Sequence, residues 1–259
     1  MRIPIRIISI ATSALWAFLI IFSALALYSM KDFQFNLGQP QISKTEDSEL
    51  LFSIPVFVVN TGFYNIAHLN ISTIILNGKG SVAAQAFTFV SILGQGQTMN
   101  LTHNLRLNVT DLLQTRQSLL FNDSELTGNI RIGMTAAEVV PIEASSDFSV
   151  PWGAPLYNLT VAVSQFTPAN ATHYQAIISV SFENHAFFDL TGIAQAHVFS
   201  DANALIDQNQ TDIYTTQNSK YNANLELYIP MREVLRARFE VFFFTPFFNY
   251  GPLVIPYGD

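Results

Sequence analysis

The chain has 259 residues, a formal net charge of −7 and no cysteine. Without cysteine, neither a disulfide framework nor thiol chemistry is possible. Charged residues make up only 12% of the chain, and acidic groups outnumber basic ones. Nucleic acids and anionic lipid surfaces both require a concentrated basic patch, so this composition argues against either as a partner.

The first predicted element is a membrane-spanning helix over residues 7–30, which carry no charge and follow Arg2 and Arg6. At about 1.5 Å per residue such a helix is about 36 Å long, enough to cross a hydrocarbon core of about 30 Å. Arginines before the span and an acidic chain after it predict a cytoplasmic N-terminus and an extracellular bulk, residues 31–259. We therefore expect a single-pass cell-membrane protein that contacts the lipid bilayer through residues 7–30.

A cleaved signal peptide is the alternative reading of the same segment. Ala24-Leu25-Ala26 resembles a cleavage site with small residues at its two ends, and a basic region precedes it. Signal-peptide apolar regions are usually about 7–15 residues long, so the length favours a retained signal-anchor. The chain beyond the segment is exported in either case.

Beyond the span the sequence predicts β-structure throughout. Short alternating runs are separated by turn signals, as is typical of a sandwich of antiparallel sheets. Residues 51–59 form a β-branched and aromatic run, and Asn77-Gly78 separates two further runs at 74–76 and 82–90. An Asn-Gly pair in that position is a strong hairpin signal, because a type I′ turn needs positive φ at both central residues.

The next strand and a short helix follow directly. Over 99–109 apolar residues and His103 alternate with polar ones, so we expect His103 on the buried face as a hydrogen-bonded core histidine. Residues 109–120 have helical spacing, with Thr110 or Asp111 as the expected N-cap. We expect this helix to connect strands across the end of a sandwich.

Seven Asn-x-Ser/Thr sequons lie beyond the span, and several fall on the polar faces of predicted strands. Seven is more than chance gives for this composition, and we expect the protein to be an N-glycosylated surface glycoprotein. A sequon-rich ectodomain that lacks cysteine is typical of an archaeal cell surface. The predicted glycosylation sites are Asn70, Asn100, Asn108, Asn122, Asn158, Asn170 and Asn209.

The chain also contains an internal repeat. Residues 60–66 match 184–190, residues 104–107 match 224–227, and the Pro-Trp-Gly-Ala-Pro-Leu phrase at 151–156 matches Asn-Tyr-Gly-Pro-Leu at 249–253. Three matches in one order indicate two copies of one fold. We predict a cytoplasmic tip and transmembrane helix over 1–30, a first β-sandwich over 31–165 and a second over 166–259, with the helical segment shortened in the second copy.

The residues of the first copy resemble the late-embryogenesis-abundant type 2 family, also called the water-stress and hypersensitive-response domain, in an archaeal-like tandem form. The resemblance rests on a strand ending in Asn60, the Phe63-Tyr64-Asn65 turn, the Asn-Gly strand end and the helix before residues 126–132. Asn60-Thr61-Gly62 stands where many members have Asn-Pro-Asn. The resemblance implies an all-β fold of fibronectin-III-like or immunoglobulin-like sandwiches behind one membrane span, without a catalytic site.

No motif for catalysis or metal binding emerges from the sequence. The five histidines form no His-x-x-x-His pair. Gly94-Gln95-Gly96 lacks the third glycine and the strand-to-helix context of a phosphate loop. The acidic run at Glu46, Asp47 and Glu49 matches no calcium loop, so a solvated loop is the expected structure. We expect no catalysis, no cofactor and no metal.

The C-terminal segment carries six phenylalanines between Phe239 and Phe248. Pro246 and the short apolar stretch argue against a second membrane span. The aromatic side chains fill the core of the last strands on one reading. Consecutive phenylalanines cannot all face inward on a strand, however, and an outward aromatic cluster is typical of a protein interface. The candidate interface residues are Phe242, Phe243, Phe244, Phe247, Phe248 and Tyr250.

The sequence is compatible with three functions. We expect a membrane-anchored extracellular protein with a structural or protein-binding function, such as a stalk or adaptor at the cell surface. The alternatives are a filament or pilus subunit that assembles by strand addition and a non-catalytic accessory subunit of a membrane enzyme complex. All three require a protein partner or self-association.

Overall fold

The computed structural model describes residues 5–45, 49–77 and 80–255, with side chains from residue 9 onward. Strands account for 63% of the structure and helices for 16%, so the chain is mostly β, as predicted. The helices of the described residues are α1 (Ile5–Ser29) and α2 (Val109–Thr115). The strands are β1 (Phe33–Leu37), β2 (Gln41–Lys44), β3 (Glu49–Asn60), β4 (Ile66–Leu76), β5 (Val82–Leu93), β6 (Gln97–Asn108), β7 (Ser124–Ala136), β8 (Val140–Trp152), β9 (Tyr157–Pro168), β10 (His173–Asn184), β11 (Leu190–Phe199), β12 (Leu205–Thr215), β13 (Ser219–Pro230), β14 (Arg238–Phe244) and β15 (Asn249–Ile255).

Helix α1 is long and apolar enough to cross a membrane. It contains neither glycine nor proline, and its leucine, alanine and isoleucine residues allow an uninterrupted helix. Side chains from Ser9 to Ile21 are exposed on every side of the helix. Among the side chains described from Ser9 onward, those of Ala26 and Ser29 in the last turns are buried against the rest of the protein.

The first half of the protein, β1 to β8, is one antiparallel sheet that folds into two layers. The strand order is β1-β3-β6-β5-β4-β7-β8, with β2 also paired to β3. Strands β5 and β6 pair only at Ala84 and Leu107 in the described register, so the ladder between them is short. Alternating apolar residues of β3 then pack against those of β4, including Val56, Val58 and Ile71.

The second half, β9 to β15, repeats this arrangement. Its two sheets have the orders β9-β10-β13 and β12-β11-β14-β15. The first of these orders corresponds to β1-β3-β6 of the first half and the second to β5-β4-β7-β8, with the strands following one another along the chain in the same sequence. Strand β2 has no counterpart among the described strands of the second half. The repeat found in the sequence is therefore also a repeat of strand connectivity.

Sheet membership divides the two halves between β8 and β9. The boundary predicted after residue 165 falls inside β9, which pairs with β10 from Tyr157 to Pro168. The alternating pattern of residues 158–164 predicted the strand correctly but carried no information about its partner. The sheet pairing thus assigns β9 to the second half.

The helical segment predicted over 109–120 begins where expected but is divided into a helix and a turn. Helix α2 spans Val109–Thr115, and a 3₁₀ turn follows over Gln117–Leu120. Its N-cap is Asn108, whose side-chain oxygen accepts a hydrogen bond from the backbone N–H of Asp111 at 3.0 Å. The expected caps, Thr110 and Asp111, lie inside the first turn. In the second half only the 3₁₀ turn Val234–Arg236 occupies the corresponding connection.

Two predicted loops lie partly outside the described residues. Strands β4 and β5 pair as the Asn77-Gly78 signal predicted, with Leu76 opposite Val82, but Gly78 itself lies outside them. Of the acidic run, Glu46 and Asp47 also lie outside, and Glu49 begins β3. The Glu49 backbone N–H donates to the Thr45 hydroxyl at 3.1 Å.

Hydrogen bonds around the end of α2 hold the connection between the two halves. The Trp152 indole N–H donates to the Leu119 carbonyl at 2.9 Å, and Leu156 N–H donates to the Leu120 carbonyl at 2.8 Å. The Ala154 carbonyl accepts from His185 N–H at 3.0 Å. Because Trp152 is buried and the only polar atom of its side chain is paired, this junction is a packed part of the core.

Candidate functional site

The outer face of the sheet β12-β11-β14-β15 carries a cluster of apolar and aromatic side chains. Exposed fractions there are 68% for Tyr214, 55% for Val254 and 41% for Phe244. We call this cluster the aromatic face. It consists of Ile193, His197, Tyr214, Phe242, Phe244 and Val254.

Strand register brings these side chains together. Phe244 lies opposite Ile193, and Phe242 lies opposite Gln195 on the same outward side of β11. The Phe242 and Phe244 rings are parallel within 9°, with centroids 6.2 Å apart, and the His197 ring lies 5.0 Å from that of Phe242. The Nε2 atom of His197 is buried and makes no hydrogen bond. The face is thus a preformed surface of stacked rings.

Gly192 lets β11 and β14 approach at the edge of this face. Its φ of +155° and the closeness of the Phe244 carbonyl oxygen leave no room for a Cβ atom. A side chain at this position would displace the backbone that carries Phe244. No pattern in the sequence indicates this requirement.

The C-terminal phenylalanines divide between the core and the surface. Phe243 is fully buried, whereas Phe242 and Phe244 point outward, as strand alternation requires. Phe247 and Phe248 are also buried, so neither extends an outer patch. They lie in the turn between β14 and β15, where the Thr245 hydroxyl accepts hydrogen bonds from both of their backbone N–H groups.

Phe247 and Tyr250 contact other parts of the chain instead. The Phe247 ring lies 4.0 Å from that of Phe188, and the Lys44 ammonium lies over it at 4.6 Å. The Tyr250 ring meets Phe121 edge-on at 4.9 Å. Phe247 and Tyr250 therefore contribute to the contact between the halves. Of the six candidate interface residues, Phe242 and Phe244 remain on the outer face, and their role as an interface stays a prediction.

Five of the seven sequon asparagines are exposed: Asn100, Asn122, Asn158, Asn170 and Asn209. Asn108 is half-buried because it caps α2, and Asn70 is half-buried with an unpaired, buried side-chain oxygen. Asn209 lies opposite Ala196, whose side chain is buried, so it points away from the aromatic face. Asn158 lies in β9, which belongs to the other sheet of the second half, and Asn170 follows that strand. The sequons of the second half thus leave the aromatic face uncovered.

His185 is the most unusual titratable group of the described residues. Its Nδ1 atom lies 2.8 Å from the Asp123 carboxylate of the first half, and its Nε2 lies 3.3 Å from Glu183. The Tyr157 ring stacks on it at 4.2 Å. The hydrogen bond to Asp123 is the main cause that raises the pKa of His185, against the opposing effect of burial. A charged histidine therefore links the two halves at acid pH.

His103 is the buried histidine that the alternating pattern predicted. Its two ring nitrogens lie 2.8 Å from the Thr88 hydroxyl and 3.0 Å from that of Thr73. Burial lowers the pKa of His103, which favours the neutral ring. Within the described residues, no group of three or more His, Asp or Glu side chains is arranged to hold a metal ion.

An apolar cavity of about 370 Å³ opens between the layers of the first half. Phe52, Ile54, Ile75, Leu105 and Phe148 line its walls. Phe187 of the second half also contacts it. Most of the side chains that line the cavity are apolar.

No protein-family model and no curated protein matches the chain. Solved structures that resemble it include a putative ApaA protein from Bordetella pertussis, which is 16% identical, with 46% of this chain and 92% of that one covered and a TM-score of 0.32. Red sea bream transglutaminase is 16% identical over 83% of this chain and 29% of its own, with a TM-score of 0.32. An Amycolatopsis orientalis exo-chitosanase is 9% identical over 84% and 26%, with a TM-score of 0.25. Likenesses this weak carry no functional argument.

Proposed function

We propose that this protein is a membrane-anchored extracellular protein with a structural or protein-binding function, a stalk or adaptor at the cell surface. Two tandem immunoglobulin-like or fibronectin-III-like sandwiches form its body, as in the late-embryogenesis-abundant type 2 family that its first half resembles. It performs no catalysis of its own. The following observations support this proposal.

The exposed apolar surface of α1 is the observation that carries it. A helix whose apolar side chains from Ile10 to Ile21 are exposed would be insoluble in water, and a bilayer is the medium that suits them. Because the arginines precede the helix and the sequons follow it, the β-structure lies outside the cell.

Burial of Ala26 and Ser29 supports a retained anchor. Both residues pack against the first half, so the end of the helix belongs to the folded body. Cleavage after Ala26 would remove one of these contacts. This favours the anchored protein over a filament subunit that is released from its span.

The aromatic face is the surface we assign to a protein partner. Interfaces are enriched in aromatic side chains at their centres, and here two stacked phenylalanines lie beside Tyr214 on a sheet face free of sequons. Polar glutamines, Gln195 and Gln210, lie between the rings in the same register. The partner is therefore a protein surface with its own apolar centre.

Extraction from native membranes in mild detergent, followed by size-exclusion chromatography with mass spectrometry, tests this function. We expect the chain to elute with its N-terminal helix retained and with one or more protein partners. A homopolymer lacking residues 1–26 would instead favour the filament, and a defined assembly with enzyme subunits would favour the accessory role. Recovery in the soluble fraction without detergent would contradict the anchor.

A further inference from the structure

The turn between β3 and β4 packs directly on the end of α1. The Phe63 backbone N–H donates to the Ser29 hydroxyl at 2.6 Å, and Gly62 leaves no room for a Cβ atom beside Ser29. Deeper along the helix, the Tyr64 ring meets that of Phe22 at 5.8 Å. The turn therefore reaches down alongside the last two turns of the helix.

Helix length sets how deep that contact lies. Phe22 precedes Ser29 by seven residues, which is about 10 Å along the helix axis. The uncharged run from residue 7 to Phe22 is about 24 Å long, shorter than a hydrocarbon core of about 30 Å. Residues beyond Phe22 must then also lie in hydrocarbon, and the Tyr64 ring beside Phe22 lies at or below the outer boundary of the core.

A second turn at the same end adds another exposed apolar side chain. Ala137, between β7 and β8, donates its N–H to the Asn65 carbonyl at 3.0 Å, and the Asn65 side-chain amide donates to Glu138 at 3.0 Å. The turn that they fix carries Val139, which is 65% exposed, while Phe63 is 62% exposed. Two large apolar side chains thus project from the end of the body where α1 leaves it.

The internal repeat shows what this turn does when a partner is present. Phe187 and Phe188 occupy in the second half the positions of Phe63 and Tyr64. Phe188 is buried against Phe247, and Phe187 lines the cavity of the first half. The same turn in the first half packs against α1 and the turn between β7 and β8, and Phe63 stays exposed.

Charges at this end limit both the depth and the lipid class. Lys31 lies 2.8 Å from the Tyr28 hydroxyl, and Asp32 and Glu138 carry negative charge nearby. These groups must remain among the headgroups. One cation beside two anions does not attract anionic lipid, so apolar insertion alone would drive the contact.

We infer that this end of the first half is a membrane-contact surface, with Phe63 and Val139 inserted in the interfacial layer of the outer leaflet. The surface holds the body upright on the bilayer in addition to its covalent link to α1. The inference rests on the proposed function, because it requires α1 to span the membrane. Aromatic side chains favour this interfacial depth.

Single-cysteine labelling tests the inference in the full chain, which contains no native cysteine. Phe63→Cys and Val139→Cys carry a nitrobenzoxadiazole fluorophore in phosphatidylcholine vesicles that contain nitroxide lipid, labelled either near the headgroup or deep in the acyl chain. Leu235→Cys is the matched control, because Leu235 is 97% exposed and lies in the connection after β13 at the opposite end of the protein. Ser13→Cys, in the middle of α1, reports insertion of the helix itself.

We expect labels at residues 63 and 139 to lose fluorescence with the shallow nitroxide, the label at residue 13 to lose it with the deep one, and the label at residue 235 to be unaffected. Quenching at residue 13 without quenching at 63 and 139 would overturn the inference and leave the anchor intact. Absence of quenching at residue 13 would overturn the anchor and with it the inference. Replacing a quarter of the lipid by phosphatidylglycerol should change none of the results, and a requirement for it would contradict insertion driven by apolar side chains.

Discussion

Asn60 and Asn184 make the same hydrogen bonds at the same position of the two halves. The Asn60 amide donates to the carbonyls of Tyr64, Leu93 and Gly94, and its oxygen accepts from the Gly62 N–H. The Asn184 amide donates to the carbonyls of Phe188, Thr215 and Thr216, and its oxygen accepts from the Ala186 N–H. Each side chain closes the turn that follows its strand and ties it to the neighbouring hairpin.

We expect Asn184→Ala to destabilise the protein by at least about 2 kcal/mol, because it removes the buried hydrogen bonds of the Asn184 side chain to the Phe188 and Thr215 carbonyls and from the Ala186 N–H. Asn184 is completely buried. Asn222→Ala, at an exposed position of β13, is the matched control and should change the stability little. Urea denaturation of both variants measures the difference, and equal midpoints would contradict the role assigned to Asn184.

Stability should depend on pH through His185. Its pKa is raised in the folded protein, mainly by the hydrogen bond to Asp123, so the stabilisation is fully present below the unfolded value of about 6.5. It is lost as the pH rises through the higher pKa of the folded state. His103 has the opposite sign: its pKa is lowered by burial, so stability falls as the pH drops below about 6.5.

The variant Asp123→Asn separates the contributions of His185 and His103 to the pH dependence of stability. It removes the nearer of the two carboxylates that face His185 and leaves His103 untouched, so the loss of stability between about pH 6 and 8 should become smaller than in the wild type. Asp201→Asn, at the far end of the second half, serves as the control for loss of one carboxylate. Thermal melting temperatures over pH 5 to 8 give the comparison, and identical pH profiles for Asp123→Asn and the wild type would contradict the assignment.

Adjacent phenylalanines of β14 should respond in opposite ways to substitution. Phe243→Ala removes a fully buried ring and should destabilise the protein by about 3–5 kcal/mol. Phe244→Ser changes an outward side chain and should leave the melting temperature nearly unchanged while reducing the yield of co-purified partner. Phe57→Ser is the matched control, because Phe57 in β3 is 44% exposed and lies far from the aromatic face. Equal loss of the partner in the Phe57 and Phe244 variants would contradict the aromatic face as the binding surface.

Glycan occupancy should follow exposure. Peptide mass spectrometry should detect glycans at Asn100, Asn122, Asn158, Asn170 and Asn209, whose side chains are exposed. Asn70 should stay unmodified, because its side-chain oxygen is buried between strands. An intact mass equal to that of the unmodified polypeptide would contradict the prediction that the protein is glycosylated.

The sequence predicted periodic features well. Alternation over 99–109 placed His103, Leu105 and Leu107 inside and their polar neighbours outside, because side-chain direction on a strand follows from spacing alone. The same rule separated Phe243 from Phe242 and Phe244. The long apolar run likewise predicted the length of α1.

Features without a period were missed. Phe247 and Phe248 were expected on a surface, but they lie in a turn, where the Thr245 hydroxyl rather than strand alternation sets their direction. The cap of α2 was misplaced by two or three residues because Asn108, Thr110 and Asp111 all have side chains suited to capping. The ion pair of His185 with Asp123 joins residues 62 positions apart, and no local pattern indicates such a contact.

The most direct test of the anchored, extracellular protein is labelling of Leu235→Cys in intact cells with a membrane-impermeant maleimide. Leu235 is 97% exposed, and the chain has no other cysteine. We predict full labelling without lysis, and we predict that the labelled protein stays in the membrane pellet after a carbonate wash. Labelling only after lysis, or release of the labelled protein by carbonate, would contradict an extracellular body on a transmembrane helix.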